Sequence, residues 1–309
     1  MILITGGSGY LGSQVAKFLI DNGHKVRIST RNKELVHKSI IDNVEIVETD
    51  ILKQETIDSC CKNIQTIIHF AGMNYSDCEN NPLLAKKINE DATEKFLLTG
   101  KKNNIKKFLY FSTAHVYGDN LKENITEEYK PFPENYYSTT HLNAEKIVKK
   151  SLIDSNIKYL ILRLSNVIGP PISKDIKCWH LVCHDLCRQA ITSNKLQLNT
   201  TGDQYRDFIS IRQLFYIINS FILENKLSST YNFSSGNSIT IKKLATIIQE
   251  EYYKIFDKEL KLSLGKVKPA SNYLYKLDNK KLKNEFNDLK FETINYSIRD
   301  LLIFCKNYL

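Results

Sequence analysis

The 309 residues include only 12 glycines and 6 prolines, too few for a collagen-like, low-complexity or disordered chain. Long apolar runs are missing too. The longest, Leu214 to Leu223, is broken by Asn219 and Ser220 and falls short of the ~20 residues a bilayer span needs, so no membrane association is expected. The cysteines, at 60, 61, 78, 178, 183, 187 and 305, are odd in number and contain no CxxC pair. That argues against a disulfide framework and for a reducing, cytoplasmic setting. Met1 opens directly onto an apolar stretch with no charged leader ahead of it, so no targeting segment is expected. Acidic residues are outnumbered, 34 against 43 basic, for a net charge of +9. The lysine-dense stretches, Lys101 to Lys107 and Lys276 to Lys290, lack the interleaved aromatics of an RNA platform. The excess therefore reads as a solvated surface that also suits an anionic small molecule, and no nucleic-acid partner is expected.

What is present is a rhythm of short apolar runs and helical stretches. Residues 2–5 are continuously apolar up to Thr5 and end in glycines, and Leu11, Val15, Phe18 and Leu19 then recur at helical spacing. A second strand follows at 26–30 and a third at 44–48, and 66–70, 107–112 and 159–164 are further buried-strand candidates, each of these last three preceded by a segment that can be helical. Repeated βα units at this spacing predict an α/β fold: a doubly wound, Rossmann-type parallel sheet. After about residue 165 the rhythm loosens, and Pro170-Pro171 breaks it. Two units are expected from about 150 residues per domain. Residues 1–165 form the first, with the chain returning to it around 208–235, and 166–309 form mainly a smaller α/β substrate-binding domain.

The turn after the first strand carries Gly6, Gly7, Gly9 and Gly12, with Tyr10 and Leu11 opening the helix. Such a turn needs one glycine for its tightness, one so that backbone can approach a pyrophosphate, and one for close helix-to-strand packing. At the end of the second strand, where an acid would hold the ribose of NAD, stands Arg31. A guanidinium there favours the 2′-phosphate of NADP, with NAD as the alternative. Asp50 and Ile51, just after the third strand, are placed to bracket the adenine.

In these residues and in the segments that follow, the chain resembles the extended short-chain dehydrogenase/reductase superfamily, specifically its NAD(P)-dependent sugar-nucleotide epimerase, dehydratase and reductase group. The matching segments are TGGSGYLG at 5–12, TDI at 49–51, HFAG at 69–72, FSTAHVYG at 111–118, YYSTTHLNAE at 136–145, RLSNVIGP at 163–170 and YRDFISI at 205–211. The resemblance implies that Thr113 takes the catalytic Ser/Thr place and Tyr137 the tyrosine of the family's YxxxK signature. It implies cofactor contacts at Phe70, Ala71, Gly72 and Asn89, substrate contacts at Thr113, Asn166 and Arg206, and a homodimer. The signature lysine is absent: His141 stands in its place.

The departure matters chemically. A free phenol has a pKa of about 10 and is a poor base at neutral pH, so the family's lysine, one helical turn along, lowers it. An imidazole with an ordinary pKa of about 6.5 supplies that charge only conditionally. Three roles stay open for His141: a proton-relaying partner of Tyr137, a ribose-binding group beside a phenol tuned by the nicotinamide charge, or the mark of a redox-silent site. Thr113 is followed by Ala114-His115 rather than by the acid pair that the family's 4,6-dehydratases place there, which disfavours dehydration. His115 is a candidate to protonate a sugar carbon, or a packed histidine near the sheet edge. His180, Cys183, His184 and Cys187 share one helix face, but on a straight helix they span about 10 Å and cannot converge on one tetrahedral ion, so no metal is assigned. Reduction of a 4-keto sugar nucleotide is the favoured reaction. The alternatives are a 4-epimerase or 4-dehydrogenase with tightly held NAD, and a non-catalytic dinucleotide-binding regulator.

Overall fold

The computed structural model describes residues 1–118, 121, 123–224, 228–269 and 273–309. Its strands are β1 (Ile2–Thr5), β2 (Val26–Thr30), β3 (Glu45–Glu48), β4 (Thr66–His69), β5 (Lys107–Thr113), β6 (Glu123–Ile125), β7 (Lys158–Leu164), β8 (Asn166–Ile168), β9 (Lys195–Gln197), β10 (Tyr205–Ser210), β11 (Ser229–Phe233), β12 (Ser238–Thr240), β13 (Lys261–Ser263) and β14 (Tyr275–Leu277). The main sheet has the order β11-β7-β5-β4-β1-β2-β3. The pairs from β7 through to β3 are parallel, in keeping with the Rossmann-type expectation. β1 and β2 are buried at every position, as strands covered on both faces must be. The chain winds outward from β1 to β3 and then returns to lay β4 on the other side of β1. That reversal opens a crevice at the carboxyl ends of β1 and β4, the place where open α/β sheets bind ligands.

Two compact units emerge. The first comprises Met1–Gly118, Lys130–Leu164 and Ile218–Tyr231; the second comprises Asp119–Tyr129, Ser165–Ile217 and Asn232–Leu309. The first is built on the main sheet, with a core that includes Leu3, Ile67, Phe96, Phe108, Val148 and Ile161. The second holds the small sheet β12-β10-β8 and a core of Phe208, Leu244, Ile248, Ile298 and Leu301, among others. All the cysteines are free and buried. No helix among the described residues is long and apolar enough to cross a membrane.

Several buried polar groups in these cores carry hydrogen bonds. Arg27, on β2, donates to the carbonyls of Cys60 and Lys62 at 2.8 and 2.6 Å and pairs with Glu45. His69, at the end of β4, lies 2.9 Å from Thr5 Oγ1 through Nδ1 and 3.1 Å from Thr93 Oγ1 through Nε2. Thr93 itself donates to Asn89 O, so the imidazole donates from Nε2 and accepts at Nδ1. In the second unit His184 Nε2 lies 2.9 Å from Gly169 O. Burial pushes His69 down to about 3 and His184 down to about 4.

Both histidines are therefore neutral when folded and take up a proton near pH 6.5 when unfolded. Stability is full above about pH 6.5 and erodes as pH falls toward 4, because only the unfolded chain then gains protons. At pH 5 each histidine is expected to cost about 2 kcal/mol. Urea denaturation at pH 7.5 and 5.0 checks this: the midpoint falls at the lower pH, and His69→Gln shows a shallower fall than the parent chain.

Candidate functional site

The glycine turn sits where the crevice begins. Gly6 has φ +66°, and a side chain there would press on Ala71 N, in the segment leaving β4; a Cβ on Gly12 would run into Gly6 O. Turn and helix thus approach more closely than any other residue allows. Gly9 caps the helix Tyr10–Asp21 without a side chain, and no acid lies in that helix's first turn. A helix N-terminus of this kind suits a pyrophosphate. Thr5 Oγ1 accepts from Ala71 N at 3.1 Å, tying the β1 and β4 exits together.

Around this turn the structure gathers most of the residues expected to hold a dinucleotide. Ser8 Oγ lies 3.0 Å from Thr30 Oγ1, which brings the turn beside the end of β2, where the exposed Arg31 follows. Asp50 and Ile51 are half-buried after β3, with Thr49 N donating to Thr30 O at 2.8 Å. Phe70 stacks on Phe111 with centroids 3.8 Å apart. Asn89 behaves differently from a ligand-facing amide. It is buried in a π-helical turn, accepts from Met73 N at 2.8 Å and donates to Thr140 Oγ1 at 2.9 Å, clamping the segment after β4 to the helix that carries Tyr137.

That helix, Tyr136–Leu152, begins with Asn135 accepting from Ser138 N at 2.8 Å, while Glu79 accepts from Tyr136 N at 2.8 Å. Both are favourable at a helix N-terminus. Its buried face carries His141, Ala144, Glu145, Val148 and Leu152, at the spacing of one stripe. Across from it, β5 presents Tyr110 and Ser112, two residues apart on one face of the strand. The partners match in order: Tyr110 Oη lies 2.9 Å from His141 Nδ1, and Ser112 Oγ donates to Glu145 at 2.6 Å. Arg163 on β7 closes the seam, donating to Glu145 through Nε at 2.9 Å and Nη2 at 2.7 Å, and to Tyr117 Oη at 2.8 Å. Burial works against the Arg163 charge, but the hydrogen bonds and charge of Glu145 hold the guanidinium above its ordinary value.

Tyr137 emerges one turn before His141, half-buried, with its ring edge-on to the imidazole at 4.6 Å. Burial raises the Tyr137 phenol above its ordinary value, and the nearby Thr113 hydroxyl only partly offsets this. Burial pushes His141 down to about 4, against the pull of Glu145 and with a smaller push from His115. The residue in the lysine place is thus uncharged at neutral pH. His115 is exposed and 6.3 Å from the Tyr137 ring centroid to centroid.

Asn166 and Arg206 belong to the second unit. Asn166 on β8 donates to Asp207 O at 2.8 Å, and the Arg206 guanidinium donates to Tyr205 O at 2.9 Å. Beside them the buried Asp207 accepts from Ser235 N and Oγ. Cys183, His184 and Cys187 are buried on the helix Val182–Thr192, and no metal-holding cluster of His, Cys, Asp or Glu occurs among the described residues.

With this geometry in view, comparison with known proteins is decisive at the level of the family. A model of the NAD dependent epimerase/dehydratase family matches residues 2–232. The chain belongs to that family. It is 25% identical over 268 residues to a UDP-glucose 4-epimerase of Halalkalibacterium halodurans, covering 81% of this chain and 79% of the relative. It is also 25% identical over 315 residues to a UDP-glucose 4-epimerase of Bacillus subtilis, covering 92% and 90%. A crystal structure of a UDP-glucose 4-epimerase superposes with a TM-score of 0.85 at 22% identity, over 99% of this chain and 97% of that one, and supports the fold.

Sequence reasoning missed Tyr110, Glu79 and the Arg163 pair. The signal for two of them was there: polar residues two apart in an apolar strand, and polar residues four apart on an apolar helix face. Removing one partner of the buried pair leaves the other charge stranded. Glu145→Gln is expected to lower stability by about 3–5 kcal/mol, and Lys149→Ala, whose exposed ammonium pairs with Glu145 at 3.8 Å, by less than about 1 kcal/mol, both read by chemical denaturation.

Proposed function

We propose that this protein is a nucleotide-sugar 4-epimerase that keeps NAD bound. The observation that carries the reading is the Tyr137 phenol held beside the Thr113 hydroxyl and one helical turn from His141, in the unit that also carries the glycine turn. The relatives favour epimerisation over the reduction of a 4-keto sugar first expected, and UDP-glucose is the substrate to assay first.

Gly6, Gly7, Gly9, Tyr10, Leu11 and Gly12 would hold the pyrophosphate, with Asp50, Ile51, Phe70, Ala71 and Gly72 around the adenosine. When bound, the dinucleotide supplies reversible hydride acceptance. Tyr137 in its phenolate form takes the proton of the sugar hydroxyl as its carbon is oxidised and returns it afterwards, so turnover rises with pH toward the ionisation of the phenol. Thr113 donates to the same oxygen, and His141 offers a hydrogen bond rather than a charge. Epimerisation through a transient ketone needs no further acid/base pair, consistent with Ala114-His115 after Thr113. Asn166 and Arg206 would grip the nucleotide diphosphate, and the reading includes a homodimer. A second reading, an NADPH-dependent 4-keto reductase, is favoured by the exposed Arg31 where an acid would serve NAD.

Mass spectrometry of cofactor released by denaturation separates the two: retained NAD supports the epimerase, exchangeable NADPH the reductase. Cofactor without hydride exchange on any nucleotide sugar points to the regulator. Tyr137→Phe is expected to lower kcat by about 10²–10⁴. A cation about 5 Å from a phenolate at an effective dielectric of ~20 is worth about 3 kcal/mol, or roughly 2 pK units. His141→Lys should therefore move the rising limb of the pH–rate profile down by about 1–2 pH units.

A further inference from the structure

Two imidazoles and a phenol follow one another inside the seam behind Tyr137. His69 and Tyr110 have centroids 6.1 Å apart, and Tyr110 and His141 are also 6.1 Å apart. The two histidines differ in one respect. Both nitrogens of His69 are satisfied by protein hydroxyls, from Thr5 and Thr93. Among the described residues His141 has a hydrogen-bond partner only at Nδ1, and its Nε2 is not among the sealed, unsatisfied buried atoms.

We propose that Tyr110 is a positioning residue that sets the tautomer of His141: its phenol donates to Nδ1, so that His141 carries its proton on Nε2 and presents a neutral donor to a ribose hydroxyl of the bound dinucleotide. This rests on the dinucleotide-binding part of the reading above. The direction of the bond follows from donor accounting. The Tyr110 side chain is 2% exposed, and His141 Nδ1 is its one hydrogen-bond partner among the described residues. If Nδ1 donated instead, the phenol hydrogen would be left without an acceptor in a dry seam. The phenol stays protonated, since burial and the nearby Glu145, Tyr137, Glu90 and Cys78 all raise it. The imidazole stays neutral because burial, with a smaller push from His115, opposes its charge more than Glu145 favours it.

The arrangement gives His141 a donor in the lysine place without a positive charge there. A lysine offers three rotatable donors on a flexible stem, whereas a ring held at one nitrogen offers one donor in one direction. Loss of the Tyr110 hydroxyl frees the proton to move between the two nitrogens, and only part of the population then presents the donor.

The test uses the full chain labelled with ¹⁵N-histidine at pH 7, with His141 signals assigned by their loss in His141→Asn. The expected result is a neutral His141 protonated at Nε2 in the parent chain and a mixed tautomer in Tyr110→Phe. NAD titrated without sugar should bind Tyr110→Phe about 3- to 10-fold more weakly. An imidazolium or an Nδ1-protonated ring in the parent chain overturns the proposal, as does unchanged NAD affinity in a Tyr110→Phe whose tautomer has become mixed. The nitrogen spectrum of the parent chain decides the tautomer even if Tyr110→Phe fails to fold. Failure of the parent chain to bind NAD or NADP would overturn the ribose contact together with the cofactor assignment above, yet leave the Tyr110–His141 bond to be judged by the spectrum.

Discussion

Everything at this site depends on how a helix with a polar face is seated against a strand with a polar face in a place that excludes water. Arg163 and Glu145 are both almost fully buried, and a charge so placed is tolerated only when its partner and its hydrogen bonds are complete. The fork from Arg163, with Ser112 beside it, meets that demand in a single register of the helix Tyr136–Leu152. Sliding the helix by one turn would strand the carboxylate and move His141 off Tyr110. The seam thus acts as a template, and its product is the position of Tyr137 beside Thr113.

The same dryness sets the electrostatics. An imidazole in the lysine place could have served as a cation had it been solvated or paired with the carboxylate directly. It is instead bonded to a neutral phenol, while Glu145 spends its oxygens on Arg163 and Ser112. Burial then decides in favour of the uncharged ring, and Tyr137 loses the neighbour that would have lowered it. This chain keeps the shape of a proton-transfer site while removing the fixed positive charge from it.

Much of this was legible in the residues. The glycine turn between β1 and the first helix announced both the Rossmann sheet and its crevice, because few other uses demand so many Cβ-less positions in one turn. Tyr137 and Thr113, on a helix and a strand of the same unit, lie close enough for the hydroxyl to act on the phenol. What was not legible depended on side-chain pairing across long separations. Asn89 looked like a cofactor contact and is spent on Met73 N and Thr140, a role set by a π-helical turn that no periodicity signals. His141 left its charge open because only its surroundings decide that charge. The short strands β6 and β14 pair across some 150 residues of intervening chain, with too few residues apiece to stand out from a loop.

The central claim is that the Tyr137 phenol has no cationic neighbour among the described residues and keeps its proton at neutral pH. Ultraviolet difference titration of the cofactor-free chain against Tyr137→Phe, from pH 7 to 11, isolates the ionisation of this one ring. The account predicts no tyrosinate from Tyr137 until the pH exceeds about 10, the ordinary phenol value. A tyrosinate signal titrating near pH 7 would contradict it and would mean that a positive charge stands where the structure places a neutral imidazole.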